Sequence, residues 1–373
     1  MAQAIAPALP LMYNAFPGVD KAGVETLATV PNIGVVVGLL ISPFLVKLMG
    51  QKPTVLTGLL ITLLAGVFPE FSSAYMPILV SRILIGFGIG LFNSLAVSLI
   101  PQFYSGDEQE LATMVGFQNS VPPLGTAVAS FLISWLITIS WHAAFAIYFL
   151  VIPVFIMFAI FVPLPKEEQA KNTDSDSGKA KPKQHINGQV VKISIFMFLI
   201  FLFYITVSYK QPALIVQQHL GTVSELSILS GVMNLIAIPV GASFGFFFKK
   251  LHDKIFPIGF LFATLGFLTI ALAPNFIVLT LGNLLFGIGF GLAVPYMYNW
   301  LDWAAPDGSV NLATTIVLVL VNVGCSISPM VINAISTDPK IDLIISGVFF
   351  ACFTVYALCH YINVHKNGEK DKK

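Results

Sequence analysis

Arg82 lies inside ILVSRILIGFGIGLFNSLAVSL, residues 78–99, an apolar, glycine-rich stretch long enough to cross a bilayer. A guanidinium at the centre of a bilayer costs about 2.5–3.5 kcal/mol on insertion scales, so it must face a cavity or a partner. Eleven residues on, Asn93 shares its helical face. Such an arginine can bind substrate or couple protons in a central cavity, or it can clamp a neighbouring helix by hydrogen bonds. The other polar side chains inside apolar stretches complete a candidate set for substrate or coupling. They are Gln118, Asn119, Tyr209, Lys210, Gln211, Asn283, Tyr298 and Asn322. Lys210 falls late in its stretch, so it either enters the cavity or snorkels to the interface.

Other chemistry is poorly supplied. The six histidines form no HExxH and the three cysteines no CxxC, so no metal or cofactor is expected. GFGIG follows no strand and is no nucleotide loop. Without a nucleophile–base pair, an enzyme is not expected. Carboxylates read as peripheral: Glu25, Glu70 and Glu225 at outer ends, Asp107, Glu108, Glu110 and Asp302 near the inner side. An electropositive cavity and an anionic or neutral substrate follow as expectations.

The elements that must position these groups are membrane helices. The chain is 56% hydrophobic and 10% charged, against about 25% charged in soluble domains. Its net charge of +1 gives no reason to expect a nucleic-acid partner. Twelve apolar segments can be drawn, near 1–17, 26–48, 54–69, 76–101, 112–138, 142–163, 191–218, 225–248, 255–273, 276–299, 310–335 and 341–362. None alternates apolar and polar residues as a barrel strand would. The reading is an all-α membrane protein of twelve transmembrane helices in two six-helix bundles, 1–165 and 191–373, the second ending in a short cytoplasmic tail. A polar linker, 166–190, separates them. With both termini and the linker cytoplasmic, Lys47, Lys52, Lys192, Lys249, Lys250 and Lys254 fall inside, and only Lys21 and Lys340 outside. The first segment is short at its front, which fits either a start internal to a longer reading frame or a truncated first helix.

The halves repeat. RILIGFGIG (82–90) matches NLLFGIGFG (283–291), and ELATMVG (110–116) matches NLATTIV (311–317), both 201 residues apart; Glu25 and Glu225 open the second and eighth spans, 200 apart. Gly86 and Gly90, like Gly287 and Gly291, form GxxxG pairs that suit close helix packing. Over essentially its whole length the chain resembles the major facilitator superfamily of secondary transporters. Arg82, Gly86 and Gly88 match that family's fourth-helix pattern RxxxGxG. In SPFLVKLMGQKP, Leu45, Gly50 and Lys52 match its loop signature GxLaDRxGRK, whereas Lys47 stands at the acidic position and Pro43 at the first glycine. Gly50 and Lys52 are accordingly expected in packing or gating. Pro123 and Gly125 resemble the antiporter motif of the fifth helix. The resemblance implies a monomer in the cell membrane moving a small-molecule substrate by alternating access. It is expected to be proton-coupled, with export favoured over uptake or over a non-transporting sensor.

Overall fold

The computed structural model describes residues 5–104, 108–162, 185–306 and 308–370. These are helical, with no strand among them. Ten helical stretches are long and apolar enough to cross a membrane, and the described apolar part of the fifth span, Val121–Leu136, is shorter. This is a multi-pass membrane protein.

Before the first of these lies a short 3-10 turn, Ala6–Ala8, running into α1 (Leu9–Met12). The second span is two helices, α2 (Lys21–Thr29) and α3 (Pro31–Met49). The Asp20 carboxylate caps α2 by accepting from the Gly23 N–H at 2.8 Å. Pro31 has no N–H to give, so it suits the first position of α3. Gly50 turns the chain at φ +87°, a conformation with little steric cost only for glycine. α4 (Gln51–Val67), α5 (Tyr75–Phe103) and α6 (Glu108–Leu136) follow. A 3-10 stretch, Ala143–Leu150, then leads into α7 (Val151–Phe161).

The second half begins with α8 (Gly188–Tyr204), three residues before the expected boundary at 191, because Asn187 caps it there by accepting from the Val190 N–H. The seventh span breaks after Tyr204 and continues as α9 (Thr206–Gln217). α10 (Val223–Leu251) opens with a capping box of Thr222 and Glu225. α11 (Ile255–Ala271), α12 (Phe276–Ala304), α13 (Val310–Ile335) and α14 (Pro339–Lys370) complete the chain. The expected tail after 362 is helical through Lys370.

Most packing stays within a half: α3 and α4 against α5 in the first, α11 against α12 and α14, and α8 against α13, in the second. The halves meet where α6 lies against α10, and where α2 and α3 lie against α13. Among the described residues, the polar bonds between halves join α2 to α9 and α13, and α6 to α10. Thr29 Oγ1 donates to the Ser326 carbonyl at 3.2 Å, and the Ser134 and Ser224 hydroxyls lie 2.8 and 2.7 Å from one another's residues. These contacts gather at the end of the bundle opposite the linker.

The matched glycines do not play matched parts. A Cβ on Gly86 would strike the Pro31 carbonyl oxygen, and one on Gly90 the Val35 carbonyl oxygen, so α3 and α5 touch backbone to backbone. Gly291 has only the Val240 side chain near it, and Gly287 faces open space. The packing expected at Gly287 is therefore absent. α12 makes its closest approach on another face, where Gly289 meets Ala263 of α11.

Candidate functional site

The main polar cluster assembles around Lys210, in the middle of α9. Its side chain is fully buried, and an ammonium has three protons to place. One goes to Asn333 Oδ1 at 2.8 Å, and the nitrogen forms ion pairs with Glu25 Oε1 at 3.0 Å and Asp342 Oδ2 at 2.9 Å. Glu25 comes from α2 in the first half; Asn333 and Asp342 come from α13 and α14 in the second. Glu25 is 1% exposed and Asp342 0%. Asn333 ties the cluster together by donating from Nδ2 to Glu25 Oε2 at 2.6 Å, and the Tyr13 hydroxyl donates to Glu25 Oε1 at 3.1 Å. Beside Lys210, the Tyr209 hydroxyl lies 2.8 Å from Ser328 Oγ, which donates to the Leu202 carbonyl at 2.6 Å. Gln211 is also buried, and its Nε2 has no hydrogen-bond partner among the described residues.

Two sequence expectations are corrected by this cluster. Carboxylates are buried after all: Glu25 and Asp342 stand near helix ends, Glu25 covered by Lys210 and Asn333 of the opposing half and Asp342 packed within its own. The argument for an electropositive site falls with it, since two carboxylates face one lysine. Lys210 does not snorkel; it is enclosed.

Arg82 sits elsewhere. It is 0% exposed, and its Nε donates to the Leu27 carbonyl at 2.9 Å and its Nη1 to the Tyr148 hydroxyl at 2.9 Å. The guanidinium carbon lies 5.7 Å from the Phe145 ring centroid and 6.0 Å from that of Tyr148. These groups all belong to the first half, so Arg82 binds α5 to α2 and to the 3-10 stretch before α7. That is the clamp geometry, in a packed interior rather than on an open cavity wall. Asn93, on the same helix, is exposed.

The remaining candidates are dispersed. Asn283 and Asn322 each donate from Nδ2 to the carbonyl one turn back, that of Leu279 and Leu318 respectively. Gln118 and Tyr298 are half-buried. The Asn119 side chain lies outside the described residues. Lys52 donates to the Val162 carbonyl at 2.9 Å, fastening the start of α4 to the end of α7. No group of three or more histidine, cysteine or acidic side chains suited to a metal occurs among the described residues.

Comparison with known proteins follows this geometry. The family model described as Major Facilitator Superfamily matches residues 1–365. An uncharacterized transporter from Rickettsia felis is 22% identical over 266 residues, which is 69% of this chain and 64% of that protein. The chain thus spans just under two thirds of that relative's length. Among solved structures, a peptide transporter, POT, in complex with sulfate superposes with a TM-score of 0.74 at 14% identity, covering 97% of this chain and 92% of the other. The xylose transporter XylE from E. coli in an inward-open conformation gives 0.75 at 14%, covering 96% and 91%. A D-xylose-proton symporter gives 0.69 at 17%, covering 95% and 93%. At these identities the structures establish the fold, two helical bundles.

Proposed function

This chain belongs to the Major Facilitator Superfamily, a family of transporters rather than enzymes, and from that premise we propose that it is a proton-coupled secondary transporter of a small organic solute. The halves 1–165 and 191–373 alternate about a central pathway, and the cluster of Glu25, Lys210, Asn333 and Asp342 couples that motion to protons. One observation carries the reading: Lys210 is held by carboxylates from both halves in a fully buried setting.

Two carboxylates and one ammonium leave one excess negative charge in an apolar bundle, and an uncompensated buried charge is strongly disfavoured. A single proton shared by the acidic pair neutralises the cluster. Both Asp342 oxygens are buried with no hydrogen-bond partner among the described residues, Oδ2 meeting Lys210 only as an ion pair, which supports Asp342 as the proton's seat. A proton on Glu25 instead removes the charge that holds α2 to Lys210. The end opposite the linker is then free to part. Proton position and the closure of that end are thus one equilibrium, which is what coupling requires.

The cell membrane is the proposed location, with both termini and the linker cytoplasmic by lysine placement; the closed end then faces outwards. Export is the proposed direction, on the sequence resemblance alone. The buried carboxylates remove the reason for excluding cationic solutes. Proteoliposomes containing a pH-sensitive dye, challenged with anionic, neutral and cationic solutes, test the function. Solute-dependent proton movement that disappears in Glu25→Gln supports it. Solute flux with no proton movement, unchanged in that variant, overturns the coupling.

A further inference from the structure

At the linker end of the second half, a cavity of about 470 Å³ opens beside the start of α11 and the later turns of α12 and α14. It is remote from Lys210. His360 on its wall is 18 residues along α14 from Asp342, about 27 Å at 1.5 Å per residue. Its wall is a group of rings. Phe256 stacks on Tyr296 with centroids 5.0 Å apart and meets Trp300 edge-on at 5.6 Å. Trp303 stands edge-on to Tyr296 at 5.9 Å, and His360 lies 4.7 Å from Trp300. The one carboxylate lining it is that of Asp253, in the turn between α10 and α11, and it is fixed against the rings because the Tyr296 hydroxyl donates to Oδ1 at 2.9 Å. Trp303 is 58% exposed, so the mouth is open.

Aromatic faces present negative electrostatic potential, and Asp253 adds a formal negative charge. Such a box attracts cations, and most readily those whose hydration is weak enough to surrender. Its volume is in the range of small-molecule sites. The molecule already uses one of these rings in this way. Lys192 Nζ lies 5.9 Å from the Trp300 centroid, and 5.6 and 5.2 Å from Phe196 and Tyr356, which do not line the cavity. Trp303, at the mouth, and the Tyr296 ring that it meets edge-on remain for an external cation, while Phe256 is buried behind them.

We infer that this cavity binds a quaternary ammonium group, held against the rings of Tyr296 and Trp303 with its charge balanced by Asp253. The site goes beyond the transport reading and does not depend on it. The group can arrive on a free solute or on a choline-headed lipid, because either presents the same trimethylammonium.

The test uses the full chain in nanodiscs of phosphatidylglycerol, with tryptophan emission read as choline is added. A saturable change is expected. 3,3-Dimethylbutanol, the uncharged shape-match of choline, should produce none. Asp253→Asn should weaken choline binding about tenfold or more. If that variant does not fold, Trp303→Leu, which keeps the carboxylate and removes the exposed ring, should weaken it as well. Repeating the titration in phosphatidylcholine nanodiscs separates the sources. A response already saturated there identifies the lipid, and an unchanged titration identifies the free solute; both support the site. An equal response to the neutral analogue, binding unaltered in both variants, or no response to choline in phosphatidylglycerol overturns it.

Discussion

Among the described residues, Arg82 and Lys210 are the two fully buried cations, one in each half, and they are treated very differently. Arg82 spreads its planar fork over a carbonyl, a phenol and two aromatic faces, all from its own half. Lys210 is a compact charge that pairs with two carboxylates and donates to an amide oxygen, and one of those carboxylates belongs to the other half. The Arg82 contacts to Leu27, Phe145 and Tyr148 tie elements of one bundle together. A cation shared between bundles must change partners whenever they rock. The difference teaches that a buried charge becomes a coupling candidate through who holds it, more than through how deeply it lies.

The largest effect that should expose this contrast is Lys210→Met, which leaves Glu25 and Asp342 buried without their cation. Breaking a buried pair this way costs about 3–5 kcal/mol, read as a large fall in melting temperature in detergent. The triple variant Lys210→Met/Glu25→Gln/Asp342→Asn should recover much of that loss, since no uncompensated charge remains. Recovery absent from the triple variant would show that shape, and not charge, sets the cost.

A smaller loss is expected for Gly86→Ala, about 1–3 kcal/mol, because its methyl must displace the Pro31 carbonyl backbone. Gly287→Ala should be neutral or stabilising by up to about 1 kcal/mol, since the methyl enters open space and alanine favours helix. Parallel unfolding curves of the two variants check this, and equal losses would contradict the asymmetry of the repeat. Arg82→Lys should cost about 1–2 kcal/mol through the lost bond to Tyr148 while leaving the ratio of protons to solute unchanged in the flux assay. The smallest effect is Ser134→Ala, about 0.5–1.5 kcal/mol taken from the closed end. It should raise labelling of a cysteine placed at Ser224 without lowering the melting temperature appreciably.

Much of the fold was readable in the residues. Apolar length gave ten of the twelve drawn spans and part of the fifth, whereas the first, near 1–17, holds only a 3-10 turn and the four-residue α1 among the described residues; the 201-residue offset gave the repeat. The site was half readable. Lys210 stood out because an ammonium in an apolar run is expensive. Glu25 and Asp342 did not, because each lies within a turn or so of a helix start, where water is the default neighbour. Their burial comes from helices distant in sequence, those of the other half for Glu25 and α9 for Asp342, and linear position carries no record of it. The repeat itself misleads here. Glu225, the counterpart of Glu25, is exposed and bonds Thr222 in a capping box, whereas Glu25 follows its own cap, Asp20, by five residues and turns inward. That offset from the cap was the available signal. Gly287 shows the same limit from the other side: an identical motif faces a packed backbone in one half and open space in the other.

Solute exchange and gradient-driven accumulation in the same proteoliposomes test the central claim most directly. With Glu25→Gln, the cluster keeps its shape but loses the carboxylate that carries the proton between halves. The account predicts that exchange of labelled for unlabelled solute persists at a rate within severalfold of the unmodified chain, while accumulation against a gradient driven by pH is lost. Full pH-driven accumulation in Glu25→Gln would contradict it and place the coupling outside the Lys210 cluster.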